Sequence, residues 1–192
     1  MNNSFYALLF RQKYIARWGL MRSNIPESLS DHSFETAVIA HALALISNKR
    51  FGASYDCDHA AVLALYHDAS EVYTGDLPTP VKYHSDELRD SYKRLEETAA
   101  SKLLTKLPPD ISAEYAKYIL PQKDDYTPLV KAADKLCALI KCIEEEASGS
   151  REFASAKKST EAALDAIEAD VPAVGVFRRE MLSAFTATLD EL

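Results

Sequence analysis

The chain has 192 residues, of which 47% are apolar and 27% are charged, as is typical of a soluble globular protein. Its formal net charge of −7 disfavours broad binding to nucleic acids or membrane surfaces, because both partners favour basic protein faces. The longest charge-free apolar run, Thr36–Ile46, is far shorter than the roughly 20 residues of a membrane span. Three cysteines in no disulfide pattern favour a reducing compartment. We therefore expect a cytoplasmic protein.

Helical periodicity dominates the chain, and no run alternates for long enough to predict a strand. The predicted helices cover residues 5–17, 31–48, 58–72, 88–103, 111–119, 128–143 and 153–168, with one more after Pro172. Asp58 is the expected N-cap of the third helix, and Ser30 or Asp31 that of the second. Between the third and fourth helices, Leu77–Pro80 contains two prolines and predicts a rigid loop.

Neither a repeat nor a linker divides the sequence. The segment Pro121–Lys123 lies between two predicted helices at an ordinary loop distance. We therefore predict one all-α domain, a helical bundle that covers residues 1–192, with its functional site between helices.

Polar residues interrupt three predicted helices at positions where an apolar residue is expected. His67 and Asp68 are adjacent on the mostly apolar helix 58–72, Asp134 interrupts helix 128–143, and His32 lies in the first turn of helix 31–48. A buried carboxylate is costly unless it is paired or bound to a metal. Two imidazoles and two carboxylates suit Co, Mn, Zn, Fe or Ni better than Ca or Mg. A simpler reading remains open, in which His32 caps its helix and the two aspartates make buried hydrogen bonds.

Glu71 lies four residues after His67, which places both side chains on one face of a continuous helix. A carboxylate beside a metal-bound water is a usual position for a general acid or base, or for a water-orienting group. Alternatively, Glu71 is a helix-end charge without a partner. His41 is expected to be a core histidine, and the charge run Glu144–Glu146 is expected to be solvated.

Five segments carry a resemblance to a known family. They are Ala16–Arg22, Ser30–Ser33, Tyr66–Val72, Thr74–Tyr83 and Lys131–Ala138. A histidine, a His-Asp pair and a distant aspartate are similar to the signature of the HD superfamily of metal-dependent phosphohydrolases. The segments as a whole resemble the bacterial HD-domain 5′-deoxynucleotidases, and the resemblance runs from about residue 5 onward.

The resemblance implies an enzyme that removes phosphate from deoxyribonucleoside 5′-monophosphates and rejects ribonucleotides. It also implies one divalent transition metal, most often cobalt, and a homodimer, whose interface we expect on an exposed apolar face of a C-terminal helix. The implied metal ligands are His32, His67, Asp68 and Asp134.

The resemblance assigns further roles around this metal. Glu71 corresponds to the catalytic glutamate, and Arg17 to a catalytic arginine that orients the phosphate. Trp18 is expected to pack near the sugar and leave no room for a 2′-hydroxyl. The remaining implied substrate contacts are Asp76, Leu77, Pro78 and Thr79, together with the ligands His32, Asp68 and Asp134.

Two other functions remain open. One is an HD phosphohydrolase that acts on nucleoside triphosphates, cyclic dinucleotides or alarmones. Those substrates carry more charge and call for more basic residues than Arg17, Arg22 and Lys82 supply. The other is a non-catalytic helical binding module, which has no reason to keep buried acids.

Overall fold

The computed structural model describes residues 3–82, 84–120 and 124–192, and for Thr79 it describes the backbone alone. The described chain is helical, as predicted, and its one bridge of β type joins Ala16 to Ser28. The helices are α1 (Phe5–Leu9), α2 (Leu29–Phe51), α3 (Cys57–Tyr66), α4 (Glu71–Thr74), α5 (Thr79–Lys82), α6 (Asp86–Leu104), α7 (Pro109–Ile119), α8 (Thr127–Ala147), α9 (Ala154–Glu168) and α10 (Ala173–Glu180). None of these helices is both long and apolar enough to cross a membrane.

The predicted N-caps lie too late in the sequence, by two or three residues at α2 and by two residues at α3. Ser28, rather than Ser30 or Asp31, caps α2: its amide donates to Asp31 Oδ2 at 2.9 Å, and its Oγ accepts from the Asp31 amide at 3.3 Å. This reciprocal pair has the pattern of a capping box. At α3 the carboxylate of Asp56 accepts from the His59 amide at 3.0 Å, so Asp56 replaces Asp58 as the cap.

The predicted helix 58–72 is interrupted after Tyr66. The Ala69 amide donates to the Tyr66 carbonyl, and the Glu71 amide donates to the Asp68 carbonyl, each at 3.0 Å. These bonds span three residues, so a tight turn over residues 67–70 replaces the helical pattern. His67 and Asp68 therefore lie on this turn, and the short α4 begins at Glu71.

Three other predicted elements have different bounds. The first helix ends at Leu9 and is followed by a 3-10 segment over Phe10–Tyr14. The predicted loop at 77–80 ends early, because α5 begins at Thr79 and Pro80 fits its first turn. The last helix ends at Glu180, and a second 3-10 segment covers Leu182–Thr186.

The described residues group into two compact units. The first unit takes its residues from Met1–Leu20, Pro26–Ser33 and Tyr66–Gln122. The second unit takes its residues from Met21–Ile25, Phe34–Leu65 and Lys123–Leu192.

Each unit has its own apolar core. In the first unit α6 packs against α4, α5 and α7, and Phe5, Leu103 and Ile119 are buried in its core. In the second unit α8 packs along α9, and the core includes Leu136 and Leu164. Cys137 and Cys142 are buried, as expected for core thiols, whereas His41 is exposed rather than buried.

Within the second unit a buried ion pair holds the segment 21–25, and this corrects the expectation for the charge run at 144–146. Glu145 is fully buried, and the Lys141 ammonium donates to its Oε1 at 2.6 Å. The hydroxyl of Ser23 and the amides of Asn24 and Ile25 donate to the same carboxylate at 2.6 to 2.9 Å. Lys141 also donates to Ser23 Oγ and to the Ile25 carbonyl. Glu145 thus anchors a loop rather than facing solvent.

We expect Glu145→Gln to lower the free energy of unfolding by about 3 kcal/mol, because it leaves the buried Lys141 ammonium without its counter-charge. Urea unfolding should show a lower midpoint at an unchanged slope. The matched control is Glu146→Gln, which removes the more exposed pair with Lys157 and should cost less than about 1 kcal/mol. Equal losses in the two variants would contradict the anchoring role of Glu145.

The anchor also gives stability a defined pH dependence. Burial alone would raise the pKa of Glu145, but hydrogen bonds from Lys141, Ser23 and the two backbone amides lower it to about 2. The folded-state pKa lies below the ordinary value of 4.5. This contribution is therefore complete above about pH 4.5 and is lost as the pH falls toward 2. Over that window the wild type should lose more stability than Glu145→Gln.

Candidate active site

Three of the four residues predicted to bind a metal come together at the start of α2 and on the turn after α3. His32 is fully buried in the first turn of α2, and its ring centroid lies 5.3 Å from that of His67. Asp68 Oδ2 lies 3.0 Å from His67 Nε2 and 3.7 Å from His32 Nε2. Each of the three residues offers one donor atom, and these atoms lie within 4.8 Å of one another. Such a group can hold one metal ion.

The turn after α3 explains how adjacent residues in the sequence serve one site. Ala69 is buried in the core of the first unit, and this packing holds the turn in place. The neighbouring Asp68 and His67 remain only half-buried and face the imidazole of His32. The break in the predicted helix is therefore what brings the His-Asp pair toward α2.

Asp134 lies on α8 in the second unit, half-buried, and Lys135 donates to its Oδ2 at 3.0 Å. The three-residue cluster belongs to the first unit. The role of Asp134 as a fourth ligand therefore stays a prediction.

Arg17 brings a positive charge to this site. Its Nη1 lies 3.7 Å from Asp68 Oδ2 and 3.8 Å from Asp76 Oδ1, while its Nε donates to Glu27 Oε1 at 2.8 Å. Burial raises the pKa of Asp76, and the Arg17 guanidinium opposes this rise. A planar guanidinium among carboxylates can grip two oxygens of an anionic ligand.

Trp18 follows directly and has an unusual backbone. Its φ of 58° lies in the left-handed region, which costs a non-glycine residue on the order of 1 kcal/mol or more. Its indole Nε1 donates to Glu27 Oε2 at 2.9 Å. Trp18 is half-buried, so part of its surface remains open to a ligand.

Glu71 is buried at the first position of α4, with 6% of its surface exposed. Within the described part of the chain its Oε2 has no hydrogen-bond partner. Burial, together with the nearby carboxylates of Asp68 and Asp76, raises its pKa to about 9, against the opposing charges of Arg17 and Lys82. Glu71 thus combines burial, a raised pKa and an oxygen available to a ligand or water, which suits a group that exchanges a proton.

The predicted substrate loop follows α4. Gly75 begins it at a φ of 72°, a conformation that glycine adopts readily, and Asp76, Leu77 and Pro78 are half-buried. The side chain of Thr79 and the whole of Tyr83 lie outside the described residues.

Glu27 is the site residue that the sequence reasoning missed. Its carboxylate contacts Arg17 and Trp18, and Oε1 lies 3.6 Å from His32 Nδ1. The chain has 29 acidic residues, and no periodicity marks this one. Its place in a loop between an Arg-Trp pair and a histidine was the one available signal.

Comparison with known proteins shows the family to which the chain is similar. The family model described as "5′-deoxynucleotidase YfbR-like" matches residues 4–185. The 5′-deoxynucleotidase VP0926 of Vibrio parahaemolyticus is 45% identical over 190 residues, which cover 98% of this chain and 97% of that protein.

Solved structures of lower identity share the fold. An HD-domain phosphohydrolase from Listeria innocua aligns with a TM-score of 0.82 at 22% identity, over 97% of this chain and 90% of that one. A cyanophage S-2L HD phosphohydrolase, bound to dA and one catalytic Zn²⁺ ion, aligns with a TM-score of 0.62 at 17% identity, over 92% and 95% of the two chains. From its matched residues and its full-length similarity, the chain belongs to the YfbR-like 5′-deoxynucleotidase family.

Proposed function

We propose that this protein hydrolyses deoxyribonucleoside 5′-monophosphates to deoxyribonucleosides and phosphate, and that it rejects ribonucleotides. The observation that carries the proposal is the cluster of His32, His67 and Asp68 with the Arg17 guanidinium beside it. Family membership supplies the substrate class. The net charge of −7 supports a small-molecule substrate rather than a nucleic acid.

We infer that a divalent transition metal is held by His32, His67 and Asp68, with Asp134 as a fourth ligand. The described donors fit such an ion, because mixed imidazole and carboxylate sets suit Co, Mn, Zn, Fe or Ni. Cobalt is our first choice by family. When bound, the ion lowers the pKa of a coordinated water and neutralises phosphate charge.

The hydrolysis breaks the bond between phosphorus and the 5′-oxygen, forms one between phosphorus and a water oxygen, and delivers a proton to the leaving 5′-oxygen. Arg17 binds phosphate oxygens, and its full charge stabilises the transition state. Glu71 orients the water or protonates the leaving oxygen. His32, Asp68 and Asp134 contact the substrate in addition to holding the metal.

Selectivity for the deoxy sugar is assigned to Trp18 and the loop from Asp76 to Thr79. The indole of Trp18 is held by its hydrogen bond to Glu27, so it presents a fixed wall. A fixed wall excludes an additional 2′-hydroxyl by steric clash. The conformation of Gly75 and the ring of Pro78 restrict the backbone of the loop from Asp76 to Thr79.

We also propose that residues 1–192 act as one domain, which the family model spanning residues 4–185 supports. Buried thiols such as Cys142 suit the cytoplasm, where thiols stay reduced.

A homodimer is proposed as well, but on a different face from the one expected. Helices α9 and α10, which the structure describes throughout, expose no large hydrophobic side chain. Helix α2 exposes Phe34, Val38 and Leu45 along one face, and this face is our candidate interface.

The test is phosphate release from deoxyadenosine and adenosine 5′-monophosphates by metal-stripped protein supplied with cobalt, manganese, zinc or magnesium. We expect metal-dependent release from the deoxy compound and at least about tenfold less from the ribo compound, the discrimination that roughly 1.4 kcal/mol provides. Asp68→Asn protein purified in parallel controls for contaminating phosphatases. Equal release from both nucleotides would contradict the proposed selectivity. No release from either nucleotide by metal-loaded protein would contradict the proposed substrate class.

A further inference from the structure

The carboxylate of Glu27 is shared between two side chains that the proposed function assigns to the substrate. Its Oε1 accepts from Arg17 Nε at 2.8 Å, and its Oε2 accepts from Trp18 Nε1 at 2.9 Å. The Glu27 side chain is 9% exposed, so water competes little for these bonds. One buried carboxylate thus fixes a cation and an indole relative to each other.

Backbone contacts hold the same residues in register. The Arg17 amide donates to the Glu27 carbonyl at 3.0 Å, and the neighbouring Ala16 and Ser28 form an antiparallel bridge. Both the main chain and the side chain of Glu27 therefore contact Arg17. The bridge and the side-chain bond together hold the Glu27 carboxylate beside the Arg-Trp pair.

The bond to the indole matters because the Trp18 backbone is strained. A φ of 58° at a non-glycine residue persists only where surrounding contacts enforce it. The hydrogen bond from Nε1 to Glu27 is such a contact. Removing it takes away one of the contacts that hold the indole in its present orientation.

The contact with Arg17 orients the guanidinium in the same way. Because Glu27 engages Nε, the opposite edge of the guanidinium is turned toward the other carboxylates, with Nη1 3.7 Å from Asp68 and 3.8 Å from Asp76. The same carboxylate lies 3.6 Å from the buried imidazole of His32. Glu27 is thus adjacent to a predicted metal ligand as well as to both predicted substrate contacts.

We propose that Glu27 is a positioning residue that couples phosphate binding by Arg17 to sugar discrimination by Trp18. This inference rests on the proposed function for its kinetic consequence, whereas its structural consequence is independent of activity. In this role Glu27 acts through Arg17 and Trp18 rather than on the phosphate.

The first test uses Glu27→Gln and a signal from Trp18 alone. Glutamine keeps the size of the side chain but has one acceptor oxygen, and its amide N–H₂ faces the second donor. Trp18 is the single tryptophan in the chain, so one indole N–H resonance and one fluorescence spectrum report it directly. We expect the indole proton resonance to move upfield and acrylamide quenching to increase about twofold or more. The matched control is Glu114→Gln, an exposed glutamate on α7, which should leave both signals unchanged.

The second test follows kinetics with deoxyadenosine and adenosine 5′-monophosphates. Glu27→Gln should lower kcat/KM for the deoxy compound about 10- to 100-fold and should reduce the deoxy-to-ribo preference, the effect that the proposed function also predicts for Trp18→Ala. Bound metal should stay at the wild-type level. Glu27→Asp keeps the charge but shortens the reach, so it should reduce the same preference. This second variant keeps the test decisive if Glu27→Gln does not fold.

The outcomes separate the two hypotheses. If the variants keep the wild-type indole resonance and the wild-type preference, Glu27 does not position the pair and the inference is wrong. A lower melting temperature with an unchanged preference would also overturn it, because that result indicates a purely structural role. If the wild type fails to hydrolyse the deoxy compound while Glu27→Gln still moves the indole resonance, the proposed function fails and the positioning role stands.

Discussion

The Asp68→Asn variant is expected to release phosphate from deoxyadenosine 5′-monophosphate at least about 10³-fold more slowly than the wild type. Asp68 Oδ2 is the atom common to the site, 3.0 Å from His67, 3.7 Å from His32 and 3.7 Å from Arg17. Asparagine keeps the shape but removes the negative charge that a divalent cation requires. Losing metal-derived stabilisation of several kcal/mol corresponds to three or more powers of ten in rate.

Metal content measured by mass spectrometry should fall with the rate. Asp134→Asn should show the same double loss if Asp134 completes the ligand set. Asp86→Asn is the matched control, since Asp86 is 88% exposed at the start of α6 and pairs with Arg89. An Asp68→Asn protein that keeps its metal and its rate would show that the cluster is a buried hydrogen-bond network, the simpler reading of the sequence.

Replacing Glu71 by glutamine is expected to lower kcat about 10²- to 10⁴-fold, the usual contribution of a general acid or base. Bound metal should remain, because Glu71 lies outside the cluster of metal donors. The melting temperature should not fall, since glutamine has no charge to bury at this enclosed position. A large loss of rate in a stable, metal-loaded variant would place Glu71 in the chemical step.

The two proposed roles of Glu71 are separable by the leaving group. In the 5′-phosphorothiolate of deoxyadenosine, sulfur replaces the bridging oxygen, and the thiolate leaves without protonation. If Glu71 protonates the leaving oxygen, Glu71→Gln should lose far less rate on this compound than on the natural ester. If Glu71 orients the water, both compounds should lose rate equally. If Glu71→Gln hydrolyses both compounds at the wild-type rate, Glu71 has neither role.

Long amphipathic helices were predictable because their apolar spacing is set by the helix itself. Helix α6 covers the predicted 88–103, and α8 begins one residue before Pro128, which suits a first helical turn. The end of α3 at Tyr66 was not predictable in this way. Ala69 and Val72 continue the apolar spacing, so the periodicity hides a turn formed by bonds over three residues.

The site was predictable where residue type carries the chemistry. His32, His67 and Asp68 were identified as polar residues in apolar surroundings, and the structure brings them together. Glu27 and Glu145 were missed for a shared reason: each is buried by partners distant in sequence. Glu27 accepts from residues nine and ten positions earlier, and Glu145 accepts from a loop more than 100 positions earlier. Neither separation produces a local pattern.

The anchor of the segment 21–25 has a consequence for protein synthesis. Ser23 and Glu145 are 122 residues apart, and a ribosome adds roughly 5–20 residues per second. Residues 21–25 are therefore synthesised many seconds before Glu145, whose carboxylate anchors them. During that interval Arg17 and Trp18 are already part of the nascent chain, but the segment 21–25 that follows them is not yet anchored. The nascent chain thus acquires this contact late, after α8 has left the exit tunnel.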